Sequence, residues 1–150
     1  MKHAKDLRVG RYSKDNNYYF VTANTDNREP LFLDFFCARI AINNLKQTDE
    51  LELTNTIGFV LMPDHLHWLF QLNETSDLSY AVGSTKGRSA KQINAQLNRD
   101  KKVWQPGFYD HNLRENEDIK QIMRYIVANP LRANIVKNIG QYSHWDCIYL

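Results

Sequence analysis

The sequence has few cysteines, prolines and glycines, and it has no long apolar run. Its two cysteines, Cys37 and Cys147, lie far apart and outside any CxxC motif, so we expect reduced thiols and no disulfide framework. The apolar runs end well short of the ~20 residues that a transmembrane helix needs. The basic N-terminal stretch lacks an apolar segment, which argues against a secretory signal. These absences predict a protein of the cytosol.

The remaining composition is typical of one globular domain. The chain has 150 residues, of which 43% are hydrophobic and 24% are charged, as is usual for a soluble globular protein. No internal repeat, low-complexity tract or Pro/Gly-rich linker divides it. Because its length suits a single core, we predict one domain that spans residues 1–150.

Basic residues are concentrated in two stretches, although the formal net charge is only +2. In the first stretch they are Lys2, Lys5, Arg8, Arg11 and Lys14, and in the second they are Lys86, Arg88, Lys91, Arg99, Lys101 and Lys102. Local clusters of this kind bind phosphate backbones even when the total charge is nearly neutral. A solvated surface is the alternative interpretation for any one of these residues.

The spacing of apolar residues predicts alternating strands and helices. The predicted strands are 18–25, 51–62, 65–72 and 103–113, and the predicted helices are 31–46, 78–97, 118–128 and a short 131–139. Met62-Pro63-Asp64 favours a turn, so the second and third strands form a hairpin. Two strand–helix crossovers around a hairpin give a ferredoxin-like, split βαβ plan. We therefore predict an α+β protein with an antiparallel sheet, its helices on one face and an irregular tail.

The sharpest local motif is His65-Leu66-His67, in the third predicted strand. Side chains alternate along a strand, so both histidines point to one face and Leu66 points into the core. Two imidazoles on one face can chelate a divalent metal ion. For this motif alone, a pair of surface histidines without a ligand is the more common explanation.

A second motif lies at the end of the predicted helix 118–128. Tyr125 and Asn129 are four residues apart and therefore share one helical face. A tyrosine hydroxyl attacks a phosphate only with the help of a base or a metal-polarised electrophile. The amide oxygen of Asn129 could complete a His-His-Asn metal site. A core tyrosine, followed by a helix stop before Pro130, is the alternative.

Three blocks of the sequence resemble the REP-associated tyrosine transposases. The run IGFVLMPDHLHWLF resembles the His-hydrophobic-His strand of the tyrosine transposases that move single-stranded DNA. Two further runs are similar to the REP-associated group, RVGRYSKDNNYYFVTANTDNREPLF near the start and VWQPGFYDHNLRENEDIKQIMRYIVANPLRANIV near the end. The blocks cover nearly the whole chain in the family's order, so together they are quite specific.

The resemblance implies a ferredoxin-like fold and a set of site residues. His65 and His67 match the metal ligands of the family, and Tyr125 matches its nucleophile. Asn129 stands where related transposases have a glutamine as third ligand, and its side chain is one methylene shorter. With magnesium or manganese on the scissile phosphate, Tyr125 would attack in line and expel a 3′-hydroxyl. The resulting 5′-phosphotyrosine link would keep the phosphodiester energy for rejoining.

The resemblance also implies a substrate, the hairpin-forming repetitive extragenic palindromes beside which the family reads a short single-stranded tetranucleotide. We expect DNA contacts from both basic stretches and from arginines around the nucleophile. The candidates are Arg11, Tyr12, Lys86, Arg88, Arg114, Arg124 and Arg132. Trp104 and Tyr109 are further candidates, with Tyr12, for stacking on unpaired bases. Salt bridges for the arginines and core positions for the aromatics are the alternatives.

Two residues near these motifs are not expected to take part in metal binding or in phosphate chemistry. Asp64 is expected to shape the turn and to point away from the His65 face. His111 lies on the last predicted strand, and no role is assigned to it.

The sequence leaves several activities open. The leading prediction is a transposase or nickase of single-stranded and hairpin DNA, in the cytoplasm at the nucleoid. A hairpin-binding protein with idle chemistry is one alternative, and a hydrolytic metalloenzyme in which Tyr125 is structural is another. One complete set of site residues favours a monomer, and a dimer that exchanges helices stays open.

Overall fold

The computed structural model describes residues 17–113, 119–128 and 145–147. The strands are β1 (Tyr18–Asn24), β2 (Thr54–Met62), β3 (His65–Leu72), β4 (Tyr109–Asn112) and β5 (Trp145–Cys147). The α-helices are α1 (Phe35–Glu50), α2 (Leu78–Leu97) and α3 (Ile119–Val127). Two short 3-10 turns, Asp26–Arg28 and Leu31–Leu33, connect β1 to α1.

The strands form one antiparallel sheet in the order β4-β1-β3-β2-β5. β3 lies between β1 and β2, and β4 flanks β1, as the split βαβ plan requires. The predicted α+β fold with an antiparallel sheet is thus confirmed. β5 adds a short strand beside β2, where the sequence pattern predicted an irregular tail. A strand of three residues is too short to show an apolar alternation, so the pattern gave no indication of it.

Several element boundaries follow the apolar pattern, and others are moved by individual residues. β3 and α2 have the predicted bounds. α1 begins at Phe35 because the Asp34 side chain accepts hydrogen bonds from two backbone N–H groups of the first turn. The last predicted strand is shortened to β4, and Trp104 forms only an isolated bridge with Thr25. The predicted helix 131–139 lies outside the described residues.

The two faces of the sheet carry different helices. On one face, α1 and α2 cover the larger core, whose sheet residues include Val21, Trp68 and Phe70. On the other face, α3 packs through Met123 and Ile126. The predicted one-face arrangement therefore applies to α1 and α2, and α3 departs from it. The physical reason is that the second face has apolar residues of its own that need cover, namely Ile57, Val60, Met62 and Leu69.

Cys37 lies in the larger core as a free thiol, as predicted. Burial, with the Asp34 carboxylate nearby, raises the pKa of this thiol to about 11. The thiol is therefore protonated and unreactive at neutral pH. Within the described ranges, no helix combines the length and the apolar character needed to cross a membrane.

Candidate active site

His65 and His67 lie side by side on the sheet face that α3 covers in part. They occupy alternate positions of β3, and the intervening Leu66 is buried under α1 and α2. The centroids of the two imidazole rings are 4.8 Å apart, and the ring planes meet at 80°. The structure thus brings the two predicted metal ligands together.

Each imidazole ring is held by a hydrogen bond at its Nδ1 atom. His65 Nδ1 lies 2.8 Å from an oxygen of the Asp64 carboxylate, and His67 Nδ1 lies 3.0 Å from Thr22 Oγ1. Phe20 also stacks on His67, with the ring centroids 5.4 Å apart. Where a ring donates its Nδ1–H in such a contact, Nε2 is the nitrogen that can bind a metal ion.

The Asp64 carboxylate joins His65 to a guanidinium group. Its second oxygen accepts a hydrogen bond from Arg28 Nε at 3.0 Å. Partial burial raises the pKa of this carboxyl, but hydrogen bonds from His65 and Arg28, together with the charge of Arg28, lower it by more. Asp64 is therefore an anion beside His65, and it favours the ring form that carries the proton on Nδ1.

Asp64 corrects one expectation from the sequence. Its backbone oxygen accepts hydrogen bonds from Thr25 N and Oγ1, so it does shape the turn. Its side chain reaches His65, however, whereas strand alternation predicted that it points away. Alternation does not apply here because β3 begins at His65 and Asp64 belongs to the preceding turn. The sequence pattern did not show that three further residues contact the histidine pair or its carboxylate, namely Asp64, Arg28 and Thr22. Only Asp64 could have been suspected, because it is adjacent to His65 in the sequence.

The helix that carries Tyr125 packs on the same sheet face as the histidines. Met123 and Ile126 are buried against side chains of β2 and β3, among them the cross-strand neighbour of His65. Tyr125 itself is 67% exposed. The structure thus brings the helix of the predicted nucleophile to the histidine face. Asn129, the predicted third ligand, lies outside the described residues.

The arrangement of the two histidines fits a divalent metal ion. Both rings are oriented by hydrogen bonds, and neutral imidazole is the commonest metal ligand in proteins. In the part of the chain that the structure describes, no group of three or more His, Cys, Asp or Glu side chains could hold an ion. Two imidazoles supply only two ligands, so an ion bound by His65 and His67 could also take phosphate oxygens and a ligand of another kind, such as the Asn129 amide.

Two of the predicted DNA contacts are engaged within the protein. Lys86 Nζ donates hydrogen bonds to two backbone oxygens in the loop before β4. The Arg88 guanidinium donates to Thr48 Oγ1 at 2.6 Å and to Asn44 Oδ1 at 3.2 Å. Lys86 thus holds the loop before β4, and Arg88 ties α2 to α1. These contacts account for both side chains without DNA.

The other predicted DNA contacts have different locations. Arg124 is exposed on α3, next to Tyr125 in sequence. Four candidates lie outside the described residues, namely Arg11, Tyr12, Arg114 and Arg132. In the second basic stretch the exposed residues are Lys91, Lys101 and Lys102. Arg99 makes a bidentate ion pair with Glu29, at 2.7 and 2.8 Å, and so has a structural role.

We expect Arg88→Ala to destabilise the protein by about 1–3 kcal/mol, because it removes hydrogen bonds from a charged group to buried acceptors. Its affinity for a single-stranded DNA hairpin should stay at the wild-type value. Urea unfolding measures the stability, and a gel-shift titration measures the affinity. Lys91→Ala, on the exposed side of the same helix, is the control and should stay within about 0.5 kcal/mol of the wild type. A lower affinity at unchanged stability would show that Arg88 is a phosphate contact after all.

The sequence and the fold are similar to those of known transposases. A family model described as "Transposase IS200 like" matches residues 13–129. The REP-associated tyrosine transposase of Escherichia coli (strain K12) is 28% identical over 134 residues, which cover 88% of this chain and 77% of that protein. A Haemophilus influenzae protein is 26% identical over 148 residues, which cover 89% of this chain and 80% of that protein.

A solved structure supports the same relationship at the level of the fold. It is a REP-associated tyrosine transposase bound to a REP hairpin, with a TM-score of 0.75 and 23% sequence identity. The match covers 97% of this chain and 82% of that chain. The matched range spans most of the chain and the relatives are named as tyrosine transposases, so the resemblance seen in the sequence and the prediction of a transposase-type enzyme are confirmed. The chain belongs to the family of IS200-like transposases.

Proposed function

We propose that the protein is a metal-dependent endonuclease and strand transferase of single-stranded hairpin DNA, with Tyr125 as its nucleophile. The observation that carries the proposal is the pair His65 and His67, held by Asp64 and Thr22 on the sheet face where the Tyr125 helix packs. Hydrogen bonds that orient both imidazoles at Nδ1 are typical of metal ligands. This arrangement supports the interpretation that the protein is an active enzyme rather than one that only binds hairpins.

The proposed ligands are the Nε2 atoms of His65 and His67 and the amide oxygen of Asn129. We propose Mg²⁺ or Mn²⁺, because such ions are bound by few protein groups and leave positions for phosphate oxygens. The ion would stabilise the negative charge that develops on the scissile phosphate. The role of the protein is to orient the two imidazole rings, through Asp64 in the turn and Thr22 on β1.

Tyr125 is proposed to attack the scissile phosphate in line. Its Oη atom loses the proton and forms a bond to phosphorus, while the bond from phosphorus to the 3′-oxygen breaks. That oxygen takes up a proton and leaves as a 3′-hydroxyl. The DNA stays attached through a 5′-phosphotyrosine, and rejoining reverses the step because no water is consumed. The 67% exposure of Tyr125 is consistent with access for a polymeric substrate.

The proposed substrate is hairpin DNA with an unpaired flank. The proposal is supported by the similar solved structure, which is of a protein bound to a REP hairpin. The proposed DNA contacts are Arg124 on α3 and, outside the described residues, Arg11, Tyr12, Arg114 and Arg132. We place this activity at the nucleoid in the cytoplasm, and we favour a monomer because one chain supplies all the proposed site residues.

The test is to trap the covalent intermediate. The protein is incubated with a labelled hairpin oligonucleotide from the genome that encodes it, with Mn²⁺, Mg²⁺ or EDTA, and is then run on a denaturing gel. We expect a labelled protein–DNA band with a metal ion and no such band with EDTA. Cleaved DNA without the band would indicate a hydrolytic enzyme. Hairpin binding without either product, for several hairpins and both ions, would indicate a binding protein with idle chemistry.

We expect Asp64→Asn to weaken Mn²⁺ binding by about 10- to 100-fold, the usual effect of losing an outer partner of a metal-bound histidine. The change keeps the size of the side chain but removes the charge that orients His65. Electron paramagnetic resonance of free Mn²⁺ measures the affinity without DNA. Asp100→Asn, at an exposed position after α2, is the control and should bind Mn²⁺ as the wild type does. Equal affinities for the two variants would remove Asp64 from the site.

A further inference from the structure

The histidine face extends across β1 to β4 as a row of side chains that the proposed chemistry does not use. In the antiparallel register, His67 is opposite Thr22 on β1, and Thr22 is opposite Tyr109 on β4. Directly opposed residues share one face of a sheet, so Tyr109 lies on the face of the histidines. Phe108 alternates to the other face and is buried in the larger core. Because adjacent strands are ~4.8 Å apart, Tyr109 lies about 10 Å across the sheet from His67.

Tyr109 is exposed on this face, on the side away from the strands on which α3 mainly packs. It is 42% exposed and belongs to neither apolar cluster of the described residues. α3 packs mainly on β2 and also contacts β5, and both strands are on the opposite side of the histidines from β4. Trp104, by contrast, is buried and donates its Nε1–H to Ser89 Oγ, so its ring is not open to a base. Tyr109 therefore presents an aromatic ring beside the proposed metal site.

Two amide side chains lie in the neighbouring row of the same face. Asn24 on β1 is opposite His65, and its Nδ2 atom donates to Gln105 Oε1 at 3.5 Å. Side-chain amides carry both donors and acceptors, which suit the edges of nucleobases. A ring and two amides thus lie on one side of the histidine pair, and the nucleophile's helix lies on the other.

We infer that Tyr109 stacks on an unpaired base next to the scissile phosphate, with Asn24 and Gln105 at the edge of that base. The inference rests on the proposed function, which places the scissile phosphate at His65 and His67. Aromatic stacking is a common means of holding single-stranded DNA, because every base has a π-face. A paired base would not offer that face to Tyr109, so the site selects a strand that is unpaired at the cleavage position.

The test measures hairpin binding by the wild type, Tyr109→Ala and Tyr109→Phe, all in a Tyr125→Phe background that excludes covalent chemistry. The oligonucleotides lack one base at a time along the unpaired flank. We expect Tyr109→Ala to weaken binding of the intact DNA on the order of tenfold, and Tyr109→Phe, which keeps the ring, to bind normally. For the protein that retains Tyr109, removal of the base that stacks on this ring should weaken binding about as much as Tyr109→Ala does. For Tyr109→Ala, removal of the same base should weaken binding no further.

Tyr80→Ala is the matched control, because Tyr80 is 63% exposed on α2, which covers the opposite face of the sheet. It should bind every oligonucleotide as the parent protein does. The inference is overturned if Tyr109→Ala binds the intact DNA like this control. It is also overturned if Tyr109→Ala lowers the affinity to the same extent for every oligonucleotide with an abasic site. If the proposed function is wrong, the wild type will give no covalent band in the trapping experiment. The two outcomes are distinguishable because this binding assay does not depend on cleavage.

Discussion

Tyr125→Phe should abolish the covalent protein–DNA product, a loss on the order of a thousandfold or more, because it removes the attacking oxygen. The fold should persist, since Met123 and Ile126 hold α3 on the sheet and the Tyr125 ring is exposed. Stability and hairpin affinity should therefore stay near the wild-type values. Denaturing gels measure the rate of product formation, and gel-shift titration measures the affinity.

Tyr80→Phe provides a matched control for the loss of a tyrosine hydroxyl. Tyr80 is 63% exposed on α2, against 67% for Tyr125 on α3, so both changes remove a hydroxyl from an exposed helical residue. The control should form product at the wild-type rate. If Tyr125→Phe cleaved DNA as fast as this control, the enzyme would be hydrolytic and Tyr125 would have a structural role.

His67→Ala and His65→Ala should each eliminate detectable Mn²⁺ binding and, with it, the covalent product. Loss of a ligand should cost more than the about 10- to 100-fold expected for an outer partner. The measurement is a Mn²⁺ titration by electron paramagnetic resonance, followed by the gel assay at a Mn²⁺ concentration that saturates the wild type. Thermal unfolding is recorded in parallel, because His67 also contacts Thr22 and Phe20.

The control for both changes is His111→Ala. His111 is opposite Phe20 in the register of β4 and β1, so it lies on the histidine face but two strands away from β3. It should bind Mn²⁺ and form product as the wild type does. Retention of tight Mn²⁺ binding by His65→Ala and His67→Ala, at the level of this control, would place the metal elsewhere in the protein.

The order of strands and helices could be predicted from the sequence, because apolar alternation and helical spacing are local properties. The face on which α3 lies could not be predicted in this way. Met123 and Ile126 indicate an apolar side of the helix, but the residues that receive it are distant in sequence, on β2 and β3. The unbroken apolar run from Phe59 to Met62 did indicate that both faces of β2 are covered, since a strand buried on both faces lacks alternation.

The histidine pair could also be predicted from alternation, whereas the partner of His67 depends on strand register. Thr22 is 45 residues from His67 in sequence, and only the pairing of β1 with β3 brings the two together. Charge alone could not show that Lys86 and Arg88 bind acceptors within the protein, because those acceptors lie in the loop before β4 and on α1. The proposed metal ligands and the proposed nucleophile are thus visible as local sequence motifs, whereas side chains such as Thr22 that contact them are found only from the strand register.

Mass spectrometry of the protein–DNA product tests the central claim most directly. The product is formed with Mn²⁺, the DNA is trimmed with nucleases, and the protein is digested so that the modified peptide can be sequenced. We predict a single site of attachment, with a nucleotide joined through its 5′-phosphate to Tyr125. Attachment to any other residue, including the exposed Tyr80 or Tyr109, would contradict the account.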